Sequence, residues 1–334
     1  MSTTINRRDF LKGSVLGLGA VAVSSSVLAE ASTKRHEKTR DFSLAFNYKS
    51  RFESDNSLKL WFPLAMSNDY QTPYNLKVNG NYSSHSLTTK NGAPMLQAAW
   101  ERDGNEKSLH ATYKLKVNFL DARLSLADPK AAIQEDRYIR TNSAIAHIAK
   151  TATRGADSDT KKVEKLFAWV ANNVSIKEGI DSQGIRSIRD INGAEIMRGD
   201  NLSASSVFVA LCKEAGIPSL ECFGLSLDEG RHGLNNPKPS IYTRSATYLN
   251  GAWIPNDVIL AINARETIKD EARRRDIMES SLSQWDNNWA LLNHSRDIVL
   301  DSVMVSTLQQ VYGEVDGVKL ANYDLPHFSG QIVV

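Results

Sequence analysis

The stretch that decides the fold runs from Asn201 to Pro218 and reads Asn-Leu-Ser-Ala-Ser-Ser-Val-Phe-Val-Ala-Leu-Cys-Lys-Glu-Ala-Gly-Ile-Pro. Its apolar side chains recur at helical spacing and fall on one stripe, which predicts a helix over residues 203–215. The Gly-Ile-Pro sequence that follows is typical of a helix end. The predicted stripe consists of Ala204, Val207, Phe208, Leu211, Cys212 and Ala215.

A strand, a polar loop and a hairpin follow this helix in the sequence. Residues 220–225 and 243–249 predict two strands, separated by a charged loop over 228–240. The Asn250-Gly251 pair then lies between apolar stretches, which is a strong signal for a tight turn between antiparallel strands. A helix packed on an antiparallel sheet is therefore expected here.

The region before this unit alternates between apolar and polar residues. Period-two patterns separated by Asn, Gly and Ser turns recur over residues 41–121 and predict an antiparallel β domain. Helical periodicity follows over 143–150 and 163–170, and residues 264–280 predict one charged helix. The expected fold class is therefore α+β, with a β domain followed by helices on an antiparallel sheet.

This order of elements resembles the transglutaminase-like family, whose fold is papain-like. In that family a cysteine begins the helix that ends in Gly-Ile-Pro, a histidine precedes the next strand, and an aspartate follows a Gly-x-Trp-x-Pro turn. The helix N-terminus and the imidazole lower the cysteine pKa, and the aspartate orients the imidazole. The segments Leu60 to Pro63, Asp69 to Gln71 and Trp285 to Trp289 are also similar to bacterial exported members with an immunoglobulin-like N-terminal domain.

The resemblance places the three catalytic positions at Asn201, Tyr242 and Asp257. Only the aspartate matches the family pattern. Asparagine offers no nucleophilic side chain, and tyrosine, with an ordinary pKa near 10, is a poor general base at neutral pH. The resemblance therefore implies a pseudoenzyme, in which Asp257 serves structure by accepting a hydrogen bond from Tyr242.

One alternative retains a catalytic role for other reactive side chains. Ser203 and Ser205 open the helix, and with His232 from the polar loop they would form a relocated nucleophile and base. Serine is also favoured at helix starts for capping alone.

Cys212 and Cys222 occupy apolar positions and are expected to be core residues. In an oxidising compartment a disulfide between them is an alternative that the sequence does not decide.

The N-terminus has the features of an export signal. The pair Arg7 and Arg8 is followed by Phe10, Leu11 and an uncharged stretch over 13–29, which resembles a twin-arginine signal. This stretch is shorter and less apolar than the roughly 20 residues that a membrane-spanning helix needs. Residues 1–29 are therefore expected to direct export to the periplasm or the cell exterior of a prokaryote by the twin-arginine export machinery.

The remaining chain divides into four predicted parts. Residues 30–40 are polar and charged and are expected to form a flexible lead-in. The β domain over 41–121 is followed by the transglutaminase-like domain over 122–300 and by a C-terminal β tail over 301–334.

Composition excludes several function classes. The 334 residues include 40 Lys and Arg against 38 Asp and Glu, a formal net charge of +2. Removing residues 1–29 takes away three basic residues and one acidic residue, so 37 of each sign remain. This neutral balance, with no clustered basic face in the sequence, argues against nucleic acid as a partner. Neither metal-ligand spacing nor a glycine-rich phosphate loop is found, so no cofactor is expected.

The function expected from these features is binding without catalysis. An exported protein that keeps the fold but not the catalytic residues would bind a peptide, a cell-wall peptide or a protein. The alternatives are a hydrolase or transamidase that uses the relocated serine and histidine, and an accessory protein of a co-exported complex. Trp285 and Trp289 are spaced to pack against each other and are expected to support the fold.

Overall fold

A computed structural model describes residues 39–49, 56–103, 106–119, 124–134, 142–175, 179–180, 185–227, 241–301 and 303–319. The predicted signal, all but the last two residues of the predicted lead-in, and His232 lie outside the described residues. Thr39 and Arg40, which belong to that lead-in, already form the start of the first strand.

The N-terminal region consists of two antiparallel sheets. Their inner faces share one core, in which the ring centroid of Phe46 lies 6.0 Å from that of Phe62 and 5.9 Å from that of Tyr113. Every second side chain of a strand enters this core, because successive residues of a strand point to opposite faces. The strands are β1 (Thr39–Lys49), β2 (Leu58–Pro63), β3 (Gln71–Gly80), β4 (Ser84–Lys90), β5 (Ala93–Trp100) and β6 (Ser108–Asn118).

Helices and short strands follow the β region. The helix that starts at Asp159 is capped by Ser158, whose hydroxyl accepts a hydrogen bond from the amide of Lys161. The elements of this part are α1 (Pro129–Ala132), α2 (Ser143–Ala152), α3 (Asp159–Asn173), β7 (Gly179–Ile180), β8 (Arg186–Arg189) and β9 (Glu195–Gly199).

The helix that the sequence predicts over 203–215 is α4 (Ala204–Glu214). It is buried on all sides over 204–212, and not only along its apolar stripe. The second buried side is polar. The Ser205 hydroxyl donates to the carbonyl oxygen of Thr243 at 3.0 Å, and the Ser206 hydroxyl donates to the Glu221 carboxylate. Serines with such partners can be buried at little cost, so helical periodicity alone underestimated how deeply α4 lies.

A four-stranded antiparallel sheet packs against α4. Its order is β12-β11-β10-β13, and the predicted hairpin joins β11 to β12. Asn250 and Gly251 take φ values of 52° and 81°, as the tight hairpin turn requires. The strands are β10 (Ser219–Ser226), β11 (Ile241–Leu249), β12 (Ala252–Asn256) and β13 (Trp289–Asn293).

The prediction of one charged helix over 264–280 is wrong. The structure has two helices there, α5 (Val258–Thr267) and α6 (Glu271–Ser281). Ile268 is extended, and the side chain of Asp270 accepts a hydrogen bond from the amide of Arg273. An aspartate that caps a new helix start competes with continuation of the preceding helix, which explains the break.

The last strands return to the N-terminal region. Strand β16 (Tyr312–Val315) pairs with β2, and β17 (Val318–Lys319) pairs with β16, while β14 (Ile298–Leu300) and β15 (Val303–Val305) form a separate hairpin. The two N-terminal sheets therefore have the orders β1-β6-β3 and β17-β16-β2-β5-β4. The second sheet is built from both ends of the described chain.

Candidate functional site

Tyr242 and Asp257 meet at one end of the four-stranded sheet. Tyr242 is the second residue of β11, and Asp257 links β12 to α5. The Tyr242 hydroxyl donates to Oδ1 of Asp257 at 2.8 Å, and the Leu260 amide donates to the same oxygen at 2.9 Å. Asp257 is therefore the N-cap of α5 and also the acceptor for the phenol. The hydrogen bond with the phenol is the one expected from the sequence.

Arg244 neutralises this carboxylate. Its Nε lies 3.1 Å from Oδ2 of Asp257, and a terminal nitrogen lies 2.8 Å from Oδ1 of Asp286. The side chains of Arg244 and Asp257 are 2% and 1% exposed, so both charges are removed from water. Burial alone would lower the pKa of Arg244, but the two aspartates more than offset this and raise it above its ordinary value.

Aromatic rings enclose the charged groups. The Arg244 guanidinium lies 4.8 Å from the ring centroid of Trp289 and 5.7 Å from that of Tyr242. The Trp289 indole N–H donates to the carbonyl of Tyr242 at 2.7 Å, and the rings of Trp285 and Trp289 pack at 5.0 Å. Tyr70, from the N-terminal region, donates its hydroxyl to the carbonyls of Asp286 and Trp289. The Trp pair is thus buried structure around the site.

Tyr242 is a hydrogen-bond donor in this arrangement. Its phenol donates to Oδ1 of Asp257, which also accepts from the Leu260 amide, and Oδ2 of the same carboxylate lies 3.1 Å from Nε of Arg244. In a Cys-His-Asp triad the aspartate would orient an imidazole that accepts a proton. Here the same position holds a phenol in a buried hydrogen bond, which fixes the junction of β11, β12 and α5.

Asn201 lies before the helix and does not begin it. It precedes the N-cap Ser203 by two residues and has φ of 50°, in the left-handed region that asparagine tolerates. Its Nδ2 donates to the hydroxyl of Ser306 at 2.9 Å. This hydrogen bond ties the Asn201 side chain to the C-terminal segment, and the assignment of position 201 to the nucleophile site stays a prediction.

A second buried ion pair holds the loop that contains Asn201. Arg296 binds the Glu221 carboxylate through Nε and through a terminal nitrogen, the latter at 3.0 Å. The same guanidinium donates to the carbonyls of Asp200 at 3.3 Å and of Asn201 at 3.2 Å. Ser306 completes the link by donating to Oδ2 of Asp200 at 2.7 Å. We use the name loop clamp for Glu221, Arg296 and Ser306 together with Asp200 and Asn201, the loop residues that they hold.

Sequence reasoning missed the roles of Arg244, Glu221 and Arg296. For the first two a signal was present, because each is the one charged residue within its strand. A charged residue at such a position is buried and needs a partner of opposite charge. No comparable signal marks Arg296, which lies between β13 and β14.

The two serines of the relocated alternative differ in their surroundings, and the alternative itself stays a prediction. Ser205 is fully buried, and its hydroxyl is donated to the carbonyl of Thr243. Ser203 is the N-cap of α4, and its amide donates to the Ser206 hydroxyl at 2.8 Å. Their proposed base, His232, lies outside the described residues.

Both cysteines are buried free thiols, so the alternative of a Cys212–Cys222 disulfide is not realised in the structure. Cys212 lies in the core formed around the helices, whereas Cys222 lies in the core shared with the N-terminal sheets. Burial raises the pKa of Cys212 to about 12 and also raises that of Cys222. At neutral pH these groups are uncharged thiols, which are poor nucleophiles.

Metal-binding clusters and membrane-spanning helices are both absent from the described ranges. No group of three or more His, Cys, Asp or Glu side chains in them is arranged to hold a metal ion. No helix in them combines the length and the apolar character that crossing a bilayer requires.

Comparison with known proteins gives a match in the part of the chain that carries this site. Residues 146–258 match the model of the Transglutaminase-like superfamily, a range that includes Asn201, Tyr242 and Asp257. These residues are therefore similar to that superfamily, and the α+β fold with antiparallel sheets agrees with the class expected from the sequence.

Two further proteins are similar to this chain over most of their length. An uncharacterized protein of Haemophilus influenzae is 22% identical over an alignment that covers 93% of this chain and 94% of that protein. The crystal structure of a "putative cysteine protease" from Cytophaga hutchinsonii has 13% identity and a TM-score of 0.46, covering 88% of this chain and 99% of that one. Neither likeness assigns an activity to this chain.

Proposed function

We propose that this chain is a non-catalytic, exported protein with a transglutaminase-like domain, and that it works by binding a peptide, a cell-wall peptide or a protein. The observation that carries the proposal is the hydrogen bond from Tyr242 to Asp257, with Arg244 beside the carboxylate. The resemblance assigns Tyr242 and Asp257 of this buried cluster to the positions where the superfamily pattern has the histidine and its aspartate.

The chemistry of the cluster supports the absence of turnover. Acyl transfer of this type needs a thiolate and a base within hydrogen-bond reach of it. Asn201 supplies no thiol, and the buried Cys212 and Cys222 have raised pKa values. The phenol of Tyr242 is held as a donor to Asp257.

The absence of activity is tested on the purified protein lacking residues 1–29. Peptidase, amidase and transamidase substrates, including cell-wall peptides, should show no turnover above the buffer. The matched variants are Asn201→Ala and Tyr242→Phe, which should give the same baseline. Turnover by the wild-type protein that disappears in Asn201→Ala would overturn the proposal. Covalent labelling by a serine-directed probe would instead favour the relocated serine chemistry.

Export rests on the N-terminal residues Arg7, Arg8, Phe10 and Leu11. We expect the variant with both Arg7→Lys and Arg8→Lys to remain in the cytoplasm at full precursor length, because the arginine pair is part of the address that the export receptor reads. Fractionation followed by immunoblotting measures this, with Lys12→Arg as a charge-preserving control that should still be exported. Equal export of the double variant and the wild type would contradict the assignment.

A further inference from the structure

The N-terminal sandwich is open along one side. Strands β3 and β4 are the edge strands of the two facing sheets on this side. Leu87 of β4 pairs with Leu96 of β5, so both side chains point to the same inner face of the sheet. Leu96 is completely buried in the core, whereas Leu87 is 61% exposed. Leu87 is therefore an apolar side chain on the inner face of β4 that the described residues leave largely uncovered.

This opening forms a groove of about 620 Å³. Its apolar lining includes Leu64, Met66, Leu76, Leu87 and Met95, and none of its lining residues is charged. Tyr74 also borders the groove, but it pairs with the exposed Lys114, and its hydroxyl donates to Asp41 at 3.1 Å on the outer face. The apolar side chains that line the groove are therefore Leu87 and its partly buried neighbours, and an open concavity with such a lining is typical of a binding site.

The two strands that border the groove differ as templates for pairing. In β3, Pro73 lacks an N–H, and the register with β6 shifts between Tyr74 and Lys77. Both features prevent a further strand from pairing with this edge. By contrast, β4 keeps an unbroken register with β5 from Ser84 to Lys90 and contains no proline. Its outer edge therefore offers backbone groups in regular order.

We propose that this groove binds an extended, uncharged peptide segment that pairs with the edge of β4 and places alternate apolar side chains against Leu87. Backbone pairing would supply affinity, and the groove would select the side chains. A charged segment is excluded because the lining has no group of opposite charge to offset its desolvation. This surface is separate from the Tyr242–Asp257 cluster, and the proposal does not depend on the absence of catalysis.

The probe is a fluorescein-labelled heptapeptide of alternating threonine and valine, titrated into the protein lacking residues 1–29. We expect saturable binding, and we expect Leu87→Lys to weaken it about tenfold or more, because a charge replaces an apolar contact. Leu87 is largely exposed, so this variant should fold, which circular dichroism verifies. The matched control is Val318→Lys on β17, which is 70% exposed at the opposite edge of the same sheet and should bind like the wild type.

Two further binding measurements distinguish a groove that needs a pairing peptide backbone from one that accepts any apolar ligand. A heptapeptide of the same sequence with every backbone amide N-methylated, so that neither of its edges can donate hydrogen bonds to a strand, should not bind. The neutral dye N-phenylnaphthylamine should compete only weakly. Equal binding of the methylated peptide, or unchanged binding by Leu87→Lys, would overturn the proposal, as would the absence of saturable binding. None of these outcomes affects the activity assays on Asn201 and Tyr242.

Discussion

Replacing Arg244 with methionine should lower the free energy of unfolding by about 3–5 kcal/mol, the largest effect expected from a single change near the candidate site. The substitution leaves Asp257, which is 1% exposed, without its cation and leaves Asp286 without the same partner. It also removes the guanidinium that packs over Trp289. Urea titration followed by tryptophan fluorescence measures the change as a shift of the midpoint.

Two companion variants separate charge from packing. Arg244→Lys keeps the positive charge but loses the planar, two-sided contact with the aspartates, so it should lose less stability than methionine does. Tyr242→Phe removes one hydrogen bond to a charged acceptor and should cost about 1.5–3 kcal/mol. If Arg244→Met were as stable as the wild type, the buried ion pairs would contribute nothing, and the structural role given to this cluster would be wrong.

A double-mutant cycle gives the same test in a second form. Asp257→Asn removes the charge that Arg244 faces, so combining it with Arg244→Met should cost less than the sum of the two single changes. Purely additive losses would show that the two side chains do not interact, despite the 3.1 Å between Nε and Oδ2.

The bond between Tyr242 and Asp257 was predictable because the turn at Asn250-Gly251 fixes the pairing of β11 with β12. That register places Ser245 opposite Asn256, so it brings Asp257 opposite Arg244, and Tyr242 lies two residues further along β11 on the same face as Arg244. A short hairpin carries this information locally.

The surroundings of Asn201 were not predictable in the same way. Asn201 and its partner Ser306 are 105 residues apart, and Arg296 and Glu221 are 75 apart. Periodicity describes one element at a time and is silent on which distant polar groups meet. The superfamily pattern describes the catalytic positions and does not include the C-terminal segment, to which the Asn201 side chain donates its hydrogen bond.

The second large effect is expected in the loop clamp. Arg296→Met should lower the free energy of unfolding by about 3–5 kcal/mol, because Glu221 is 4% exposed and would be left buried without a cation. The carbonyls of Asp200 and Asn201 would lose their donors at the same time. The control is Lys59→Met, whose partner Asp301 is 38% exposed, and a surface pair of this kind contributes about 1 kcal/mol or less.

The loop clamp also predicts where the structure loosens. In Arg296→Met, amide hydrogen exchange should accelerate over residues 199–203 more than in α5, because only the former segment is tied to Arg296. Ser306→Ala removes the links to Asp200 and Asn201 but leaves the ion pair, so it should loosen the same segment with a smaller loss of stability. Uniform acceleration throughout the chain in both variants would contradict a local clamp. If the segment alone responds, then the loop at the superfamily's nucleophile position is held by the C-terminal segment, which the catalytic pattern does not include.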